Sequence, residues 1–421
     1  MARISGAGSV MAWRGTARAV VRTVGVVSSL AMSAAGMARA EVPVTPRAPG
    51  FCQDAAENDD SGAYFAIGEN CIKVSGSISY TYQQAKQSAG VPRFVNRNGT
   101  VSQNTVSRTA TASTGLEVRR QTSLGEFKST IGGEWSKSTD DGTTSGSAYF
   151  TGWSVGLAGL TVGYTGTLMG FWEGSFLTSA SSPGRSATSV VYEHALDERN
   201  KIAVGIESSL PTSPNASTDI WSFDFSNPVY AMRWRRETDA FTTHVSGVLR
   251  RADFSRSPLL PFLPDTAATR TGWALSAGMK IPTPFIAEDD EFSFQATYAV
   301  DASSYLGTTN DLVVYQSIVR SLGPTKGWSA VASFHHAWSE QFESNIFASF
   351  VSVKAELLAA KPQSDTFRTA VNLYWKPVAH LKFGVELGYV DIAIEPNGFA
   401  GYFSGNSGRS YIGTLSVSAE L

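Results

Sequence analysis

Cysteine is almost absent from this 421-residue chain, which has two, Cys52 and Cys71. Two are too few for a zinc module built on cysteines or for a disulfide-dense small scaffold. The five histidines, His194, His244, His335, His336 and His380, are scattered. They form no His-x-x-x-His pair and sit at no Glu-containing metal spacing, so no metal centre is expected. No glycine-rich phosphate loop of the P-loop type occurs, and no cofactor is expected. Beyond residue 40 there is no run of 18 or more apolar residues, which excludes a membrane-spanning helix there. Charge is sparse at 17%, with 34 basic against 36 acidic residues. That balance argues against a nucleic-acid partner, which calls for a basic excess.

What is present divides at residue 40. Arg3, Arg14, Arg18 and Arg22 precede a short apolar run over about 23–35, and Met37-Ala38-Arg39-Ala40 follows. A basic region, a brief apolar core and a small-x-small end read as a secretory signal peptide over 1–40, cut between Ala40 and Glu41. The apolar run is too short for a membrane anchor. Without residues 1–40 the chain has 29 basic and 36 acidic residues, a net charge of −7. An exported cysteine pair meets an oxidising compartment, so a Cys52–Cys71 disulfide is expected, with a free thiol pair as the alternative.

From Cys71 to Leu421 the chain has a rhythm. Alternating apolar and polar residues form sixteen strand-like stretches, joined in turn by long and short connections. The short ones include 122–123, 158–159, 197–200, 238–239, 339–340 and 377–380, with 281–290 a longer member. The long ones are 84–107, 137–146, 170–187, 210–227, 251–269, 302–326, 354–365 and 392–409, rich in Gly, Ser, Pro, Asn or Asp. Eight long and seven short connections put both ends of the barrel region on the short-turn side, the periplasmic one in an outer-membrane barrel. Leu381, Phe383, Val385, Leu387 and Tyr389 alternate with Lys382, Gly384, Glu386 and Gly388. Phe292, Phe294, Ala296, Tyr298 and Val300 oppose Ser293, Gln295, Thr297 and Ala299. The apolar face persists for about ten residues per strand, the length a tilted strand needs to cross a bilayer. Trp135, Trp234, Trp273, Trp328, Trp338, Trp375, Tyr389 and Tyr411 lie near its ends, as an interfacial girdle would. Phe347 breaks the pattern by falling on the polar parity, which suits either a subunit contact or a lumen-facing aromatic. The expected fold is all-β: a transmembrane antiparallel barrel over 71–421, preceded by a periplasmic segment over 41–70.

Particular residues carry a family resemblance. Cys52, Gly62, Tyr64-Phe65-Ala66-Ile67, Gly68, Cys71, Ile72-Lys73-Val74 and Gly76 resemble the N-terminal motif of alphaproteobacterial porins. Leu116-Glu117-Val118-Arg119-Arg120-Gln121-Thr122, with Leu124-Gly125 and Lys128, is similar to that family's acidic-x-Arg hairpin. Asn372-Leu373-Tyr374-Trp375-Lys376-Pro377-Val378 and Gly384-Val385-Glu386 resemble its late Trp-x-Pro-Val and Gly-x-Glu hairpin. There are departures: Ala66 stands where a Tyr is expected, the Pro before Gly68 is missing, and the final residue is Leu421 rather than Phe. The resemblance implies a sixteen-stranded homotrimeric general-diffusion porin whose third external loop folds into the lumen.

On that reading no residue is catalytic, and the mechanism is a water-filled hole with a charged constriction. Strand counting places the third external loop at about 170–187, opening with Gly170-Phe171-Trp172-Glu173-Gly174-Ser175-Phe176. Glycine permits an inward fold, and Phe171, Trp172 and Phe176 are expected to pin it to the wall. Glu173 and Arg185 are its charged residues, few enough that ion selectivity should be mild. Parity makes Lys73, Glu117, Arg119, Lys128, Arg233, Arg235, Arg368, Lys382 and Glu386 the expected pore-lining charges, because charge on the lipid face at mid-membrane is costly. Glu126, Glu134, Arg270 and Lys280 share that parity. Partners are then a second and third copy of the chain, outer-membrane lipid, and small hydrophilic solutes and ions. The rival readings are a substrate-selective channel of the same fold, an exported non-membrane adhesin or binding protein, and a barrel hydrolase pairing His194 or His244 with a Ser.

Overall fold

A computed structural model describes Cys52 and residues 62–87, 104–140, 142–208, 227–254, 268–307, 325–355, 363–395 and 407–420. The signal segment and the Ala40–Glu41 junction lie outside the described residues. The strands are β1 (Ala63–Ile67), β2 (Asn70–Gln87), β3 (Asn104–Thr122), β4 (Gly125–Asp140), β5 (Thr143–Leu157), β6 (Leu160–Gly166), β7 (Ser186–Ala195), β8 (Asn200–Glu207) and β9 (Val229–Glu237). They continue as β10 (Thr242–Phe254), β11 (Ala268–Pro282), β12 (Glu291–Val300), β13 (Thr325–Ser339), β14 (Phe342–Ala355), β15 (Gln363–Val378), β16 (Leu381–Glu395) and β17 (Ser407–Glu420). Each of β2 to β17 pairs antiparallel with the next, and β17 pairs with β2, from Ser410↔Gln87 to Glu420↔Ser77. The result is a closed sixteen-stranded barrel with no free sheet edge along most of its wall.

β1 is an addition to the strands that alternation marks. It pairs with β2 from Ala63↔Val74 to Ile67↔Asn70, just below the stretch of β2 that β17 occupies. Two strands thus share one edge of β2 end to end, and the short β1 satisfies backbone groups that β17 does not reach. Cys52 is bonded to Cys71, the second residue of β2, so the expected disulfide is present and ties the preceding segment to the barrel.

Alternation sets the two faces of the wall. On β15, Phe367, Val371, Leu373 and Trp375 are exposed, while Arg368, Asn372 and Tyr374 are buried. On β12, Phe292, Phe294 and Tyr298 are exposed and Ser293, Gln295 and Thr297 are buried. This inverts a soluble sandwich, where the apolar set is the hidden one. The apolar face runs around the ring, with Leu387 63% and Leu275 57% exposed.

The short turns carry their own chemistry. Ala158 and Gly159 both take positive φ, 52° and 86°, as a two-residue hairpin of the primed type demands. In the β7–β8 turn, Asp197 accepts hydrogen bonds from the backbone N–H groups of Arg199 and Asn200 and from the Asn200 amide. Those bonds, the Asn200 side chain foremost, hold the Asp197 carboxyl below its usual range. One long connection is corrected. The segment 137–146 is not a loop, because β4 runs to Asp140 and β5 begins at Thr143, with Gly142 at φ 86° between them. Strands that rise beyond the apolar band are polar on both faces, so polar composition imitated a loop. Thr143, Ser145 and Ser147 pair with Asp140, Ser138 and Ser136 in an ordinary ladder.

Candidate functional site

The wall is shortest at β6, seven residues long. β5 pairs with β6 only over Trp153–Leu157, and after Gly166 the chain leaves the wall until β7 begins at Ser186. The segment 167–185 meets side chains of the polar face on strands from β8 to β16. Leu168 N–H donates to Glu207 Oε1 of β8 at 2.8 Å. The Gln295 amide of β12 donates to Met169 O at 2.8 Å, and its oxygen accepts Trp172 N–H at 2.9 Å. Trp172 Nε1 donates to Ser333 Oγ of β13 at 2.8 Å, and Ser181 N–H to Ser349 Oγ of β14 at 3.0 Å. Asn372 Nδ2 and Tyr374 OH of β15 both donate to Ser175 O. Glu386 of β16 accepts the N–H groups of Leu177 and Thr178. The segment has no regular structure of its own, so these side chains satisfy backbone groups that burial would otherwise leave unpaired.

Aromatic contacts reinforce the attachment. Phe171 stacks on His244 of β10 at 4.9 Å between centroids. A Cβ on Gly278 of β11 would fall 2.4 Å from Phe171 Cδ1, so that glycine is the space the ring occupies. Trp172 and Phe176 both meet Phe347 edge-on, at 6.0 and 4.6 Å. Phe347 is 1% exposed, and its anomalous parity is explained by the segment it receives. Gly170 lies close against Gly184: a Cβ on Gly170 would sit 3.2 Å from the Gly184 Cα.

The charged residues expected from parity fall into distinct groups. Glu117 sits between Arg119 and Lys128, bridged to the first and 2.9 Å from the second. Lys73 lies opposite Glu117 in the β2–β3 ladder, with its ammonium 5.6 Å from the Tyr64 ring centre. Arg233 pairs with Glu193, and Arg235 with Glu237. Lys280 reaches Glu173 at 3.3 Å, and that Glu is 86% exposed. Lys382 lies over the Tyr374 ring at 4.8 Å. Glu134 accepts a hydrogen bond from Tyr149. Arg368 is buried, and the backbone oxygen of Arg185 receives Thr167 N–H at 2.7 Å. Glu386, 1% exposed, has its carboxylate committed to the backbone of 177 and 178. Parity brings these residues to one face but does not distinguish Glu386, an anchor, from Glu117, a partly solvated charge.

Glu207, Gln295, Ser333, Ser349 and Asn372 are attachment points that sequence reasoning missed. Their parity is visible, but what they bind, backbone for four of them and the Trp172 indole for Ser333, lies more than a hundred residues away for all but Glu207. The hydrolase reading meets a buried pair at His244. His244 Nε2 does lie 2.8 Å from Ser246 Oγ, but that hydroxyl contacts Met169 Sδ at 3.3 Å and both residues are buried. Met169 and Phe171 cover the pair.

Residues 61–406 match the family described as the Porin subfamily. A search of curated protein sequences found no match. Among solved structures, the outer membrane channel DcaP of Acinetobacter baumannii is similar at a TM-score of 0.59 and 13% identity, over 86% of this chain and 100% of that one. OmpT of Vibrio cholerae in its trimer form aligns at a TM-score of 0.47 and 10% identity, over 84% and 99% of the two chains. Pseudomonas putida OprB aligns at 0.47 and 9%, over 88% and 97%. At 13% identity the DcaP structure speaks to fold, and the match over 61–406 speaks to family. The chain belongs to the porin subfamily and is a β-barrel diffusion channel of the Gram-negative outer membrane.

Proposed function

We propose that the protein is a general-diffusion porin in which the polar face lines the lumen and the segment 167–185 folds inward as the constriction. Small hydrophilic solutes and ions pass without a chemical step, and the apolar face meets outer-membrane lipid. The observation that carries this reading is the set of bonds from 167–185 to polar-face side chains on strands as far apart in the ring as β8 and β16. Contacts with β10, β12, β13, β14 and β15 between those two strands support a segment that lies along the polar face over half the ring. The short turns face the periplasm and the long connections the exterior. Glu173 of the loop, with the Glu117–Arg119–Lys128 group and the Arg233 and Arg235 pairs, sets a field of mixed sign, which accords with mild ion selectivity. The N-terminal cysteine motif and the late hairpin support the alphaproteobacterial branch of the family, and the family resemblance supports a homotrimer.

Planar-bilayer recording tests this reading. Stepwise conductance that rises linearly with salt, and a small reversal potential in a salt gradient, are expected. Conductance blocked by one solute and by no other would replace general diffusion with a substrate-selective channel.

A further inference from the structure

A second connection reaches the same face. Directly after β12, Ser303–Leu306 forms a single 3-10 turn in which every residue is buried, Tyr305 and Leu306 to 0% exposure. Tyr305 OH donates to Glu207 Oε2 at 3.1 Å. The other oxygen of Glu207 holds Leu168 N–H. One carboxylate at the end of β8, itself 0% exposed, therefore ties together two connections that leave the wall after β6 and after β12. The two also touch backbone to backbone. Gly307 has φ 71°, and a Cβ there would lie 2.2 Å from Ser182 N and O, so no other residue fits. Arg250 Nη1 adds a 3.4 Å contact to Ser304 Oγ.

The space these segments fill is apolar and one-sided. Leu168, Met169, Tyr305 and Leu306 form a buried cluster with polar-face residues such as Ala203, Val248 and Val351. Wall members of that cluster come from β7 to β12 and β14, and none from β2 to β6 or β17. Small side chains on β7–β11 leave room for the tyrosine and leucine. The same face of β2–β5 carries hydroxyls instead, paired across strands as Ser77–Ser113, Thr130–Ser154 and Ser136–Ser147.

We propose that Ser303–Leu306 is a second constriction element, locked to 167–185 through Glu207 and Tyr305. Together the two segments fill the lumen against β7–β14 and confine the passage to the hydroxyl-rich wall of β2–β5. Glu207 and Tyr305 are positioning residues: they set the size limit of the pore without facing the solute. This rests on the porin reading above.

The test uses the full protein in planar bilayers and in liposomes swollen by neutral sugars of increasing size. Tyr305→Ala should raise single-channel conductance by about 1.5- to 2-fold and admit larger sugars, since conductance follows the open cross-section. Tyr305→Phe, the variant safest for folding, should move both readouts the same way by less. The reversal potential should stay at the wild-type value in each, because no solute-facing charge changes. Glu207→Gln combined with Tyr305→Phe should exceed the larger single effect only slightly, as expected for two halves of one contact. Folding is checked by the gel mobility of unheated samples. Wild-type conductance and sugar limit in a folded Tyr305→Phe and a folded Tyr305→Ala would overturn the second element and leave the porin reading standing. A wild-type protein that forms no channel would overturn both.

Discussion

Glu386 accepts the backbone N–H of Thr178 at 2.6 Å, while its second oxygen takes the N–H of Leu177 at 2.8 Å. A carboxylate on a barrel strand thus serves as the docking point for a segment more than two hundred residues earlier in the chain. The arrangement resembles an anion held by successive backbone donors, with donor and acceptor roles divided between loop and wall. Gly388, two residues on, leaves the space that Thr178 enters, since a Cβ there would lie 2.5 Å from Thr178 Oγ1.

Replacing Glu386 by Ala removes the acceptor and leaves two N–H groups to find others. The attachment should weaken by about 3 kcal/mol, with each buried unsatisfied donor costing about 1–3 kcal/mol. Barrel closure does not depend on this contact, so the variant should assemble. Open-channel current noise should rise sharply in bilayers, and a protease should cut within 167–185 where the wild type resists. A quiet, resistant Glu386→Ala channel would show that the other anchors suffice.

Glu117 neutralises two cations at once, Arg119 and Lys128, and its carboxylate is only partly exposed. Glu117→Gln leaves both cations without their counter-charge on the proposed pore wall. The reversal potential in a salt gradient should move toward anion preference, with conductance in symmetric salt changed by less than about twofold. An unmoved reversal potential would place this group outside the ion path.

The Cys52–Cys71 bond closes a loop of sequence separation 19. Alkylation of the folded protein without reductant should modify neither cysteine, and labelling at either would contradict the bond. Reduction, or Cys52→Ser with Cys71→Ser, should lower resistance to unfolding in detergent by about 3 kcal/mol on the chain-entropy account.

Asp290, at the end of the β11–β12 turn, is buried yet well supplied with donors. Ala337 N–H reaches Oδ1 at 2.9 Å, and His336 Nδ1 lies 2.7 Å from Oδ2. Burial pushes the carboxyl up, but the His336 and Ala337 bonds more than offset it, and the group lies below its ordinary value of 3.8. A depressed carboxyl contributes stability that is complete above the unfolded value and disappears as pH falls through the folded one. Thermal unfolding in detergent should therefore differ between wild type and Asp290→Asn at neutral pH. The two should converge as the pH is taken down through the acid range below the ordinary carboxylate value, and a gap that does not narrow would refute the linkage.

Much of this is legible in one sequence because it is periodic. The alternation in Leu381–Tyr389 and Phe292–Val300 reports which side of a strand each residue takes, and a barrel is built by repeating that choice. Turn chemistry at 158–159 and 197–200 marks the short connections. The segment 137–146 misleads because polar composition belongs equally to a loop and to a strand rising clear of the bilayer.

By itself the sequence determined the strand count, the two faces, the cysteine pair and the place where the chain leaves the wall after β6. These rest on local spacing, which backbone geometry converts directly into orientation. Tertiary structure alone decided what the polar face holds. That Glu386 grips Thr178, that Phe347 receives Trp172 and Phe176, and that Glu207 joins Leu168 to Tyr305 depend on contacts across the ring. A closed ring brings the polar-face positions of distant strands within reach of one segment, and separation along the chain carries no record of which of them it will meet.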